Sequence, residues 1–100
     1  MSFQQSMTDA IAADARLAIL RELAQQTDGR LNAPLLRRVL DAVGIRRDAD
    51  WIATQLAKLE SLGAVRLHEV GLTVAEITPA GRDHVEARAV LAGVSRPHEA

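Results

Sequence analysis

The sequence predicts a mainly α-helical domain with one two-stranded β-hairpin, in the order helix, helix, helix, strand, strand, helix. Three observations lead to this fold class. Apolar residues recur at helical spacing over most of the 100 residues. One stretch, from Leu62 to Gly81, alternates between apolar and polar residues as a hairpin does. Aromatic residues make up only 2% of the chain, so Leu, Ile, Val and Ala must supply the core of a single domain.

The first predicted helix runs from Thr8 or Asp9 to Gln26, with Thr8 as its N-cap. Its apolar residues wrap around more than one face, which leaves two interpretations. Either the helix is central and buried between its neighbours, or one apolar face is a subunit interface of a homodimer. The candidate interface residues are Ile11, Leu17, Leu20 and Ala24.

The second and third predicted helices form a close pair. Asn32 is a natural N-cap for the second helix, Pro34 fits its first turn, and Gly44 ends it. The third helix spans Asp48 to Leu62. The link between the two helices is short, which suits a helix-turn-helix pair.

The hairpin follows the third helix and leads into a fourth. Its turn lies at residues 69–72, where Gly71 can adopt a positive φ. Thr78 and Pro79 then start a helix that runs to about Ala89 or Leu91. We therefore expect one domain over residues 1–92 and a C-terminal tail over residues 93–100, docked through Val94 and otherwise loose.

This order of elements is that of the winged helix-turn-helix fold, in which the hairpin is the wing. Two strands alone are not stable in water, so the wing is expected to close one open side of a three-helix core.

The residues also resemble a known family. The segments "ARLAILRELA", "RLNAPLLRRVLDAVG", "LAKLESLGAVRL", "ITPAGRDHVEARA" and "GVSRP" are similar to small winged-helix proteins of Mu-like transposable phages and prophages. These are often labelled ArsR-like transcriptional regulators. The similarity spans almost the whole chain, and its most distinctive parts are "RLN..LL...L...G" and the terminal "GV.RP". The resemblance implies a winged-helix fold, a phage or prophage origin and a role in regulation of transcription.

Several kinds of chemistry are not expected. The chain has no cysteine, whereas metal-sensing ArsR proteins use cysteine-containing sites. Its histidines, His68, His84 and His98, lack the spacing of a zinc site, so we expect no metal and no cofactor. There is no nucleophile elbow and no glycine-rich phosphate loop, so we expect no catalytic residues and no enzyme activity.

Charge and hydropathy narrow the partners and the location. No apolar run approaches about 18 residues, so we expect a soluble protein in the cytoplasm of the bacterial host, with no membrane partner. The net charge of −1 creates no general attraction to DNA. Residues 30–65 are the positive part, with six Arg or Lys against four acids, a balance of +2.

Double-stranded DNA is one expected partner, because the third helix of this fold enters the major groove. Gln55 on that helix is suited to read adenine, while arginines of the second helix and the turn can reach phosphates. Asp48 and Asp50 oppose this, since carboxylates repel the DNA backbone. The candidate DNA-binding residues are Arg37, Arg38, Arg46, Arg47, Trp51, Thr54, Gln55, Lys58 and Arg66.

The wing favours a second function. Val70, Leu72 and Val74 make it apolar, either because they contact another protein or because they pack back on the domain. Two functions therefore stay open. One is a dimeric DNA-binding regulator of transcription. The other is a protein-interaction module without strong DNA binding, with a phage protein as its partner in packaging or assembly, or in an adaptor role.

Overall fold

The computed structural model of the protein describes residues 3–98. Its elements are α1 (Phe3–Gln25), β1 (Arg30–Asn32), α2 (Ala33–Ala42), α3 (Ala49–Ser61), β2 (Val65–Glu69), β3 (Thr73–Ile77) and α4 (Pro79–Val85). Over these residues the chain is a small mixed α/β domain with four helices and one three-stranded antiparallel sheet. All the predicted helices and both hairpin strands are present, and β1 is an additional strand.

Side-chain caps fix three of the four helix starts where the sequence predicts them. Asn32 Oδ1 accepts the Leu35 N–H (2.8 Å), and Asp48 Oδ1 accepts the Trp51 N–H (2.8 Å). Thr78 caps α4 by accepting the Gly81 N–H (3.2 Å). Each bond satisfies a backbone donor that has no partner within the helix.

The ends of α1 and α4 differ from the prediction. Helix α1 begins at Phe3, and the Thr8 hydroxyl donates to the Gln4 carbonyl (2.9 Å) inside the helix, so Thr8 is not its N-cap. Helix α4 ends at Val85, because Ala87 adopts a left-handed backbone conformation with φ of 60°.

Strand β1 joins the hairpin at the β3 edge and gives the sheet order β1-β3-β2. Leu31 pairs with Ala75, and the Ile77 N–H donates to the Gly29 carbonyl (2.9 Å). The other edge is β2, where the Leu67 N–H donates to Glu60 Oε2 on α3 (2.9 Å). The β2–β3 hairpin is therefore part of a larger sheet on one side and is tied to α3 on the other.

Helix α1 lies at the centre of the hydrophobic core. It contacts α2, α3, α4 and β3, and its Leu17, Ile19, Leu20 and Leu23 are fully buried within the chain. The first interpretation of its apolar faces is thus confirmed. The rest of the core comprises Ala15, Leu36, Leu40, Ile52, Leu56, Leu59, Ala64, Val65, Ala75, Ile77 and Val94.

The prediction of a dimer interface on α1 is wrong for its two leucines. Leu17 and Leu20 are 1% and 0% exposed, because the other helices of the same chain already cover them. Ile11 and Ala24 are half-buried. A second copy would find no continuous apolar face at these four positions.

The residues after α4 fold back across α1, and we call residues 86–97 the C-terminal segment. Arg21 Nη2 donates to the Pro97 carbonyl (2.7 Å), and the Ser95 N–H donates to the Ala13 carbonyl (3.2 Å). The Ser95 hydroxyl also donates to the Asp14 carboxylate. Val94 is buried, as expected, but the prediction of an otherwise loose tail is wrong for residues 93–97. Glu99 and Ala100 of that tail lie outside the described residues.

His84 on α4 holds the same segment from the other side. Its Nδ1 accepts the Leu91 N–H (3.0 Å), and its Nε2 donates to the Ser95 carbonyl (2.8 Å). These bonds require the neutral imidazole with its proton on Nε2. His84 is fully buried.

Gly81 provides a test of how closely α4 packs on the start of the hairpin. A Cβ at Gly81 would collide with the Ala64 carbonyl oxygen and lie 2.8 Å from Ile77 Cγ1. Glycine to alanine inside a helix normally stabilises, but here we expect Gly81→Ala to lower the free energy of unfolding by about 1–3 kcal/mol through overpacking. Urea unfolding measures this, with the exposed Ala80→Ser as control. A Gly81→Ala protein as stable as wild type would contradict the packing.

Candidate nucleic-acid interface

Helices α2 and α3 are joined by a short turn whose backbone is fixed. The Gly44 N–H donates to the Asp41 carbonyl (3.1 Å), and the Ile45 N–H donates to the Leu40 carbonyl (2.8 Å). Gly44 adopts φ of 91°, a left-handed conformation that suits glycine. Ile45 packs against the core. The turn therefore sets α3 at one orientation relative to α2.

Two adjoining concavities mark the outer side of this helix pair. A groove of about 570 Å³ lies between α2 and α3, and a smaller niche of about 390 Å³ lies beside the turn. Both apolar and charged side chains line the groove. The groove is lined by Ala33, Pro34, Arg37, Arg38, Asp41, Ala49, Asp50, Ile52, Ala53 and Thr73. The niche is lined by Arg37, Asp41, Arg46, Arg47 and Asp48.

Four exposed arginines, Arg37, Arg38, Arg46 and Arg47, surround these concavities and are called the arginine cluster below. Within residues 3–98, none of the four lies within ion-pair distance of an acid. Arg47 makes local contacts only: its Nη1 donates to the Arg46 carbonyl (2.9 Å), and its guanidinium lies 5.4 Å from the centre of the Trp51 ring. The cluster thus presents guanidinium groups to solvent.

Three aspartates accompany the cluster. Asp48 already accepts the Trp51 N–H as the cap of α3, while Asp41 and Asp50 are exposed. Four arginines against three aspartates leave a local charge of +1. The net positive charge at this site is therefore small. It comes from arginines that form no ion pair within residues 3–98, since the whole chain has a net charge of −1.

The exposed face of α3 carries mostly small side chains. Ala53 and Ala57 are exposed, and the Thr54 hydroxyl donates to the Asp50 carbonyl of its own helix (3.0 Å). Trp51 is half-buried, and the exposed Lys58 lies beside Gly93 of the C-terminal segment. Of the four predicted contact residues on α3, Thr54 and Lys58 are thus exposed and Trp51 is partly so.

The prediction that Gln55 reads a base is wrong. Gln55 is 3% exposed, and its Oε1 accepts the Arg16 Nε–H (2.9 Å), while Arg16 Nη1 donates to the Gly93 carbonyl (2.7 Å). Gln55 shares the buried seam of Ile52 and Leu59 at helical spacing, so the position was detectable from the sequence. Its hydrogen-bond partner could not be predicted from the sequence, because Arg16 lies 39 residues earlier in the chain.

Arg16 joins three parts of the fold at this point: α1, α3 and the C-terminal segment. Burial lowers the pKa of its guanidinium from the ordinary value, and the negative charge of Asp9 partly raises it again. Two hydrogen bonds to neutral oxygens satisfy the charged group. Arg16 is a structural residue that the sequence analysis did not identify.

On the outer face of the sheet, Glu76 interacts with basic side chains of both neighbouring strands. In the strand register Glu76 lies between Arg30 and Arg66. Glu76 accepts from His68 Nε2 (2.9 Å) and lies 3.4 Å from Arg30 Nη2. The hydrogen bond from His68, followed by the charge of Arg30, holds the pKa of the Glu76 carboxyl below its usual range. Arg66 is exposed and lies opposite Glu76 in the strand register.

The hairpin tip is apolar and open. Val70 is 68% and Leu72 43% exposed, whereas Val74 is half-buried between Asn32 and His68 in the register. Val70 and Leu72 therefore do not pack back on the domain. Val74 belongs to the sheet surface rather than to the tip.

Within residues 3–98, no helix has the length and apolar character required to cross a bilayer. That range also holds no group of three His, Asp or Glu side chains placed to bind a metal ion.

The structure is a small α/β domain that carries four exposed arginines beside the turn between α2 and α3. Its sequence is 35% identical over 99 residues to gp26 of Escherichia phage Mu, an uncharacterized protein, and the match covers 91% of this chain and 95% of gp26. The chain belongs to the family of this Mu phage protein, so the expected phage relationship is confirmed. No family model matches the chain. No solved structure matches it either.

The bond between Arg16 and Gln55 can be tested by a double-mutant cycle. Arg16→Ala and Gln55→Ala should each lower the free energy of unfolding by about 1–3 kcal/mol, because each leaves the other polar group without its buried partner. The double variant should be more stable than the sum predicts, by about 0.5–3 kcal/mol. Urea unfolding of the four proteins gives this coupling. Arg16→Ala combined with the exposed Thr54→Ala is the additive control, and additivity in the Gln55 cycle would refute the bond.

Proposed function

We propose that this protein is a winged-helix DNA-binding protein of a phage or prophage, with α2 and α3 as its helix-turn-helix and the β2–β3 hairpin as its wing. The order of the elements supports this assignment, with β1 extending the sheet of the wing. In such a domain the third helix approaches the major groove while neighbouring residues contact phosphates. The role in regulation of transcription that the resemblance implies is part of the proposal.

The arginine cluster is the observation that carries the proposal. Exposed guanidinium groups with no acid of residues 3–98 in ion-pair distance are available to bind phosphate oxygens. All four arginines lie on α2 or on the turn before α3, where phosphates pass a helix-turn-helix. Neutralising phosphates releases counterions, and this release drives most non-specific DNA binding.

The dimer through α1 is not retained, because the core already contains Leu17 and Leu20. Binding by one protomer, with four arginines and a local charge near +1, should be weak at physiological salt.

A protein-interaction role has its own support in the hairpin tip. Val70 and Leu72 are exposed and lie next to the acidic Glu69, whereas Arg66 faces Glu76. An apolar tip with an acidic neighbour suits a protein surface better than a DNA backbone. The two roles use different side chains, so substitutions in the arginine cluster and at the hairpin tip test them separately.

The salt dependence of duplex binding tests the arginine cluster. The logarithm of the association constant should fall with the logarithm of salt at a slope of about −0.9 per phosphate contact, so roughly −3 to −4 for wild type. Arg46→Gln should reduce this slope by about 0.9. Arg88→Gln removes an equal charge from an arginine paired with Asp83 and should leave the slope unchanged. Equal slopes for the two variants would count against the cluster.

The hairpin tip is tested separately with Val70→Ser/Leu72→Ser. We expect this variant to keep its duplex affinity within about twofold, because neither side chain offers a phosphate contact. It should lose a protein that wild type retains from cells producing the phage proteins. The Arg46→Gln protein, with an intact tip, should retain that partner. Identical partners for both variants would refute a protein-binding tip.

A further inference from the structure

We infer that the DNA-contacting surface of this protein recognises the sugar–phosphate backbone of any duplex and does not select an operator sequence. This inference rests on the proposed function, in which α3 and the arginine cluster contact double-stranded DNA. It names the class of DNA that the surface can accept.

The exposed face of α3 lacks the side chains that read bases. Direct readout uses Arg or Lys for guanine, Asn or Gln for adenine, and a carboxylate for cytosine. Ala53 and Ala57 offer methyl groups alone, which can contact only a thymine methyl. The hydroxyls of Thr54 and Ser61 donate to carbonyl oxygens of α3 itself, those of Asp50 (3.0 Å) and Lys58 (2.7 Å).

Two of the longer polar side chains of α3 form hydrogen bonds within the fold, and the third lies beside the C-terminal segment. Gln55 is buried against Arg16. Glu60 accepts the Leu67 N–H of β2 (2.9 Å). Lys58 is exposed, but it lies on the side of α3 that carries Gly93 of the C-terminal segment. Gln55 and Glu60 therefore bond to other parts of the fold instead of reaching a base.

Asp50 is an exposed acid in the first turn of α3, next to Asp48, which caps the helix. Its carboxylate can accept from a cytosine amino group, and a single good base contact discriminates by roughly 5- to 150-fold. Specific binders reach ratios of about 10³ or more through several such contacts. One acid, which also repels phosphates, does not supply that discrimination.

The arginine cluster flanks α3 instead of lying on its outer face. Arg37 and Arg38 are on α2, and Arg46 and Arg47 are in the turn. Trp51 and the Arg46 carbonyl hold the guanidinium of Arg47 in a set direction. The attraction to DNA therefore comes from arginines beside α3, where phosphates pass. It does not come from the face of α3 that meets the base edges. Affinity from this source is independent of sequence.

The test measures the affinity of the full chain for a panel of unrelated duplexes of equal length, about 30 base pairs or three helical turns. Fluorescence anisotropy at about 50 and 200 mM salt should give dissociation constants that agree within about threefold across the panel, with a common salt slope. Arg37→Gln should weaken binding to every duplex by the same factor. Asp50→Asn should strengthen binding to every duplex, because it removes repulsion, without changing the order of preference.

Two other results separate failure of the inference from failure of the proposed function. A selection from random duplexes that converges on one motif, bound about 100-fold or more tightly than the rest, would overturn sequence-independent binding and leave DNA binding intact. A change in the order of preference with Asp50→Asn would do the same. No binding to any duplex at the lower salt concentration would overturn the proposed function and the inference with it.

Discussion

Helix α1 determines the rest of the structure because it is apolar around most of its circumference and has to be covered on several sides. Helices α2, α3 and α4 and strand β3 contact it, and the C-terminal segment crosses the remaining face. Burying its leucines and isoleucine is the main favourable contribution available to a chain of this size. Arg16 also sets how these parts are oriented, because its two hydrogen bonds fix the positions of α3 and residue 93 relative to α1.

This packing also decides which surfaces are left for partners. With α1 enclosed, the conspicuous exposed features of residues 3–98 are the arginine cluster beside α3 and the apolar hairpin tip. They differ in chemistry, one cationic and one apolar. Under the proposed function, the two surfaces would meet chemically different partners.

Local sequence signals predicted most of the fold. The caps at Asn32 and Thr78 and the turn at Gly71 depend on residues within a few positions, so their chemistry could be predicted directly. Strand β1 was missed because three residues are too few to show alternation and its partner β3 lies more than 40 residues later. The packing of residues 93–97 on the domain was also missed, because their hydrogen-bond partners lie far away in sequence, in α1.

The candidate site was predicted less completely than the fold. The exposure of Arg37, Arg38, Arg46 and Arg47 followed from their places on α2 and the turn, but the absence of ion pairs in the described range required coordinates. Gln55 was assigned to the wrong side of α3 because a polar residue was assumed to face water. For Leu17 and Leu20, an apolar face alone could not distinguish a core from an interface.

The bond between Glu60 and the Leu67 N–H has a consequence for how copies of this protein behave when concentrated. Strand β2 is an open edge of the sheet, and an unpaired row of N–H groups at such an edge invites strands from other molecules. The Glu60 carboxylate occupies the central donor of that row and places a negative charge beside it. An incoming strand would have to displace this charge, so the edge is protected against β-sheet aggregation.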